Sequence, residues 1–126
     1  MIGSAHVLVI DDEAIMRDSC REILEKLGCR VKTAENGEEG LHRMTERRPD
    51  AITLDITMPL KTGIRLYREI KKSVVLKDIP VIIVTGITSD FEKFISTRRT
   101  VPPPDGYVHK PVDQQKLLCL VERLTA

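Results

Sequence analysis

Short runs of β-branched and aliphatic residues alternate along the chain with longer stretches whose apolar positions recur every three or four residues. Repeated switching between these two patterns predicts successive strand and helix units around a parallel sheet. The first run is His6-Val-Leu-Val-Ile10, and the stretch after it places Met16, Cys20, Ile23, Leu24 and Leu27 on one helical face before Gly28 stops it. Arg30-Val-Lys-Thr-Ala34 alternates polar and apolar side chains as a half-exposed edge strand does, and Asn36-Gly37 opens a helix carrying Leu41 and Met44. Ala51-Ile-Thr-Leu54 belongs inside the sheet. A loop with Met58-Pro59 and Gly63 leads from it to a helix with Ile64, Tyr67 and Ile70. Val81-Ile-Ile-Val84 is the most hydrophobic run and is placed centrally.

The pattern weakens between Ser89 and Gly106. A short helical period around Phe91, Phe94 and Ile95 gives way to Arg98-Arg99 and then Pro102-Pro103-Pro104, which excludes a helix there. A short strand, Tyr107-Val108-His109, precedes a last helix presenting Leu117, Leu118, Val121 and Leu124, with Cys119 and Leu120 on its flanks. Leu118 and Leu120 serve either as a dimer seam or to widen the core face. Five strands and five helices fit one α/β domain, and 126 residues leave no room for a second.

Composition narrows the classes. Twenty basic and 19 acidic side chains leave a formal charge of +1, which calls for neither nucleic acid nor an anionic membrane as partner. No apolar run approaches the roughly 18 residues a bilayer requires, and the first residues lack the regions of a signal peptide, so a cytoplasmic location is expected. Cys20, Cys29 and Cys119 have no metal-ligand spacing and read as reduced thiols. His6, His42 and His109 have no ligand spacing either. The pairs Arg47-Arg48 and Lys71-Lys72 read as solvated helix ends, while Arg98-Arg99 could also form a docking patch.

In a parallel sheet the residues just past each strand's carboxyl end converge on one rim, where ligands of open α/β folds bind. The first strand runs out at Asp11-Asp12, the third at Asp55, the fourth at Thr85 and the fifth at Lys110-Pro111. Three carboxylates ~5 Å apart repel by about 3 kcal/mol per pair at an effective dielectric of 20, so a cation belongs among them. Lys110 neutralises one charge. A hard divalent cation suits the rest, because Mg²⁺ takes carboxylate oxygens, keeps several waters and completes its shell with phosphate; Mn²⁺ could substitute. Asp11, Asp12 and Asp55 are then the metal ligands, with a backbone group near Ile56 and Thr57 completing the shell. Asp55 becomes a nucleophile toward a phosphoryl group, Lys110 a charge for one phosphoryl oxygen, and Thr85 a donor to another.

Taken together these residues resemble the receiver domain of two-component response regulators, from His6 to Leu124. The motif residues are the acid pair Asp11-Asp12, Asp55 within Leu54-Asp-Ile-Thr-Met-Pro59, Gly63, Thr85, and Lys110 followed by Pro111. The resemblance implies a flavodoxin-like, doubly wound sheet in the order 2-1-3-4-5. It also implies phosphoryl transfer to Asp55 from the phosphohistidine of a sensor histidine kinase or phosphotransfer protein, followed by self-catalysed dephosphorylation. It implies a backbone carbonyl of Thr57 on the metal and Thr85 and Tyr107 as switch residues. They would remodel the face of the fourth helix, fifth strand and fifth helix, through which a weak homodimer could also form in place of a monomer. Thr57 and Ile87 occupy positions that tune the lifetime of the phosphoryl state in such domains. The long stretch between Thr85 and Lys110 departs from the family pattern and predicts a short or displaced fourth helix.

Two other functions share parts of this pattern. A Mg²⁺-dependent phosphohydrolase with an aspartyl nucleophile fits the chemistry, but the chain is small for one and lacks a D-x-D signature after the first strand. A phosphorylation-independent, receiver-like interaction module would not need the full acid, hydroxyl and lysine set. On either signalling reading the domain is not a turnover enzyme, acting at most on its own acyl phosphate.

Overall fold

The computed structural model of the chain describes residues 5–55, 62–85 and 104–125, with Thr62 and Thr85 described through their backbone alone. The elements are β1 (His6–Ile10), α1 (Ala14–Lys26), β2 (Arg30–Ala34), α2 (Gly37–Glu46), β3 (Ala51–Asp55), α3 (Thr62–Lys72), β4 (Val81–Thr85), β5 (Gly106–His109) and a C-terminal helix (Gln114–Thr125). All five strands are parallel, in the order β2-β1-β3-β4-β5. The helical period around Phe91, Phe94 and Ile95, the pair Arg98-Arg99, and Pro102 and Pro103 lie outside the described residues.

Helices cover both faces of the sheet, so interior strands bury both sets of their alternating side chains. Leu8 and Ile10 of β1 pack with Ile52, Leu54 and Ile83 under Met44, Leu66, Tyr67 and Ile70 of α2 and α3. Val7 and Val9 face the other way, joining Ile82, Val84 and Val108 against Cys20 and Leu24 of α1 and Leu117, Leu120 and Val121 of the C-terminal helix. Each such side chain contributes about 1.5–3 kcal/mol by leaving water. β4 is interior as expected, although the middle of the sheet is β3, all five of whose residues are buried.

Local chemistry sets the helix ends. Gly28 adopts φ 90° just past α1, and the N–H groups of Gly28 and Cys29 donate to the carbonyls of Glu25 and Leu24, closing the last turn. At α2 the Asn36 side chain accepts from the Glu39 N–H at 2.8 Å, with Glu38 and Glu39 placed to favour the positive end of the helix dipole. Gly40 lets α2 sit close on β1, because a Cβ there would lie 2.8 Å from Ile10 Cδ1.

Several details differ from the periodicity reading, Gly63 among them: it falls inside α3, which begins at Thr62, and not in the loop before it. β3 and β4 each extend one residue further, to Asp55 and Thr85, and β5 begins at Gly106. Leu120 is not a flank residue: it follows Leu117 by three positions, lies on the same helical face and is only 8% exposed, packed beside Gly106. That assigns Leu120 to the core; Leu118 is half-buried beside it.

Only Lys72 is the solvated helix end expected of the pair Lys71-Lys72: at the amino end of the sheet, Lys71 of α3 forms a buried clasp. Its side chain is 6% exposed, Nζ donates to the carbonyls of Lys77 and Ile79, and Asp105 Oδ2 lies 3.7 Å away. The same Asp105 oxygen accepts from the Val81 N–H, joining the segments that lead into β4 and β5.

Candidate functional site

Parallel strands of four or five residues, paired in register, carry their polar terminal residues to one rim. Asp11 follows β1, its N–H donating to Ala34 at the end of β2, and Asp55 closes β3. Lys110 follows β5 directly and meets Pro111 across a cis peptide bond. Its Nζ stands 3.2 Å from Asp11 Oδ2 and 3.2 Å from Asp55 Oδ2. Both acids are buried, at 3% and 1% exposure, whereas Asp12 is exposed at the mouth. Sequence elements far apart in the chain therefore meet as the strand ends predict.

The sequence reading missed Glu13. Its carboxylate lies 3.2 Å from Lys110 Nζ, making it a third acidic partner of that ammonium. Glu13 is the N-cap residue of α1, yet its side chain makes no capping bond, while its backbone N–H donates to Asp11 Oδ1 at 2.9 Å. The long side chain reaches over the rim instead. The signal was the continuous acidic run Asp11-Asp12-Glu13, which was read only as a pair. Arg17, one turn into α1, also contributes by donating to the Asp11 carbonyl at 2.8 Å.

Oxygens of Asp11, Asp12, Glu13 and Asp55 can be chosen that all lie within 4.8 Å of one another. Ligands on opposite sides of a Mg²⁺ ion stand about 4.2 Å apart, so a small contraction would bring this set onto one ion. The donors are all hard oxygens, which fits Mg²⁺ or Mn²⁺ and disfavours softer metals. Four carboxylates against one ammonium leave these five side chains at −3, an imbalance that a divalent cation relieves.

The electrostatics carry the same strain. Burial pushes the Asp11 carboxyl up to about 6, helped by the neighbouring Asp55 charge, and the Glu13 N–H and Lys110 offset this only in part. For Lys110 burial works against the charged form, but Asp55, Asp11 and Glu13 outweigh it and hold the ammonium well above the ordinary lysine range. Burial likewise raises the Cys20 thiol, beneath α1, to about 11, so it stays neutral.

The other predicted positions are distributed unevenly. Thr85 ends β4 opposite His109, at the same rim, while its hydroxyl lies outside the described residues, as do Ile56, Thr57 and Ile87. Gly63 is buried in the first turn of α3. Tyr107 is half-buried on β5, against the core beneath α2 and α3. Cys20, Cys29 and Cys119 are free, the last exposed. Among the described residues no helix is long and apolar enough to cross a membrane.

Comparison with known proteins bears on this geometry. A family model described as the response regulator receiver domain matches residues 7–122. The protein PilH of Pseudomonas aeruginosa is 33% identical over 122 residues, which make up 97% of this chain and 98% of PilH. The response regulator MprA of Mycobacterium bovis is 31% identical across 96% of this chain, which spans 50% of MprA. Among solved structures, the chemotaxis response regulator CheY4 of Vibrio cholerae superposes with a TM-score of 0.81 at 28% identity, covering 96% of this chain and 98% of CheY4. A response regulator receiver domain protein from Clostridium thermocellum gives 0.80 at 32% identity, covering 96% and 94% of the two chains.

Proposed function

Because this chain belongs to the response regulator receiver domain family, whose role is to accept phosphoryl groups in signalling, we propose that it switches through Mg²⁺-dependent phosphorylation of Asp55. The observation that carries this reading is the placement of Lys110 Nζ 3.2 Å from the oxygens of both Asp11 and Asp55, in a group of carboxylates that a small contraction would bring onto one ion.

A carboxylate oxygen of Asp55 attacks the phosphorus of a phosphohistidine on a sensor kinase or phosphotransfer protein. The O–P bond of an acyl phosphate forms as the N–P bond breaks, and the departing imidazole nitrogen keeps the electron pair. The bound metal would offset charge on the carboxylate and phosphoryl oxygens. Asp11, Asp12 and Asp55 would hold it together with the Thr57 carbonyl, and Glu13 belongs to the same group of carboxylates. Lys110 exchanges its contact with Asp55 for one with a phosphoryl oxygen, and the Thr85 hydroxyl donates to another. Tyr107 then moves with Thr85. Hydrolysis of the acyl phosphate is catalysed by the same side chains, so the domain turns over its own phosphoryl group and no separate substrate.

The test is intact mass after exposure to a small acyl phosphate with and without Mg²⁺. One added phosphoryl group, absent with chelator and absent in Asp55→Asn, is the expected result. Labelling that survives in Asp55→Asn would overturn the assignment.

A further inference from the structure

We propose a second ligand site at the opposite end of the sheet: a cleft that takes a small, multiply charged oxyanion of the phosphate class. It lies between the last turn of α2 and the amino ends of β1 and β2, about 16 Å of strand length from the acidic rim. Its volume is about 170 Å³, with His6, Lys32, Arg43, Glu46 and Arg47 among its lining residues. That is well below the roughly 300–1,000 Å³ of clefts for drug-sized ligands, and suits an ion or a molecule of few atoms.

Strand register explains why cations gather there. His6 pairs with Arg30 and Leu8 with Lys32, so His6, Arg30 and Lys32 share the sheet face that Leu8 presents to α2. Arg43 and Arg47 come down onto this face from the end of α2. Lys32, Arg43 and Arg47 give +3 and Glu46 gives −1, leaving +2 around the cleft. The helix dipole favours Arg43 and Arg47 at this end, but it does not account for Lys32.

Arg43 supplies the second observation. One of its guanidinium nitrogens, Nη1, lies 3.6 Å from Glu46, but its Nε is buried with no hydrogen-bond partner among the described residues. That nitrogen is enclosed by protein, while the Arg43 side chain as a whole is 38% exposed along the cleft, so an oxyanion would meet the other guanidinium nitrogens. The planar guanidinium matches phosphate oxygens in shape as well as charge. His6 feels the same field: burial lowers its pKa first, then the charges of Arg47 and Arg30. Asp50 accepts the His6 backbone N–H at 2.8 Å, and its charge opposes those of Arg47 and Arg30 at His6 without cancelling them.

The experiment uses the full chain carrying Asp55→Asn, without divalent metal, so that the result is independent of phosphorylation at the rim. Amide NMR shifts are followed during titration with inorganic phosphate and with pyrophosphate at constant ionic strength. Saturable shifts centred on His6, Lys32, Arg43 and Arg47 are expected, with a Kd of about 1 mM or tighter for pyrophosphate. Arg43→Gln and the exposed Arg47→Gln should each weaken binding about tenfold, while Arg48→Gln, outside the cleft, should leave it unchanged. Shifts that never saturate, or equal binding by folded Arg47→Gln, would overturn the proposal.

Discussion

Lys110 sits among three carboxylates whose combined charge it cannot balance, and the consequences of that imbalance are measurable one residue at a time. Replacing it with alanine leaves the buried pair Asp11 and Asp55 uncompensated. The metal-free protein should lose stability on the order of 3 kcal/mol, part of it recovered with Mg²⁺, as read by denaturant unfolding. The same variant should still accept some phosphoryl label but show no phosphorylation-dependent change in amide exchange. For Asp11 the proton balance fixes the sign of a pH effect. Its carboxyl titrates near 3.8 when unfolded and about 6 in the folded site, so the folded state binds the extra proton. Its contribution is present below pH 3.8 and is lost as pH rises through 6, so metal-free stability should fall across that window by about 1–3 kcal/mol. Asp11→Asn should flatten this part of the unfolding profile.

The acidic pocket was legible at this scale because strand ends are legible. An apolar run that stops at an aspartate places that aspartate at the rim, and Asp11, Asp55 and Lys110 are all found there. Glu13 escaped because it lies past the strand end, at the start of α1, and only the fold shows its side chain turning from the helix cap to Lys110.

Among elements, the approach of α2 to β1 is set by Gly40 and Ile10. An alanine at position 40 gains helix propensity of about 1 kcal/mol, against an overpacking penalty of about 1–3 kcal/mol where Ile10 is enclosed. We expect Gly40→Ala to destabilise the fold by about 1 kcal/mol. Ile10→Val removes the contacting methyl, so the double variant should be more stable than the sum of the two single changes predicts, as a thermal double-mutant cycle would report. Hydrophobic period located every described element, while ends slipped by a residue and Leu120 was misplaced. Both errors have one cause: periodicity marks a face, and the tilt of that face against the sheet is decided by packing partners such as Gly106 that only the fold supplies.

Across the whole molecule, chemistry concentrates at the two ends of the strands, acidic at the carboxyl rim and basic at the amino end beside α2. The Lys71 clasp ties the amino ends of β4 and β5 to α3 through Lys77, Ile79 and Asp105. Buried and engaged by those acceptors, with the Tyr67 ring 5.7 Å away, the ε-amine of Lys71 is shielded from solvent. Lys72 beside it is exposed. Acylating reagents followed by peptide mass mapping should therefore modify Lys72 and spare Lys71 in the native protein. Gain of reactivity at Lys71 as denaturant is raised would then give a site-resolved clock for the opening of that end of the sheet.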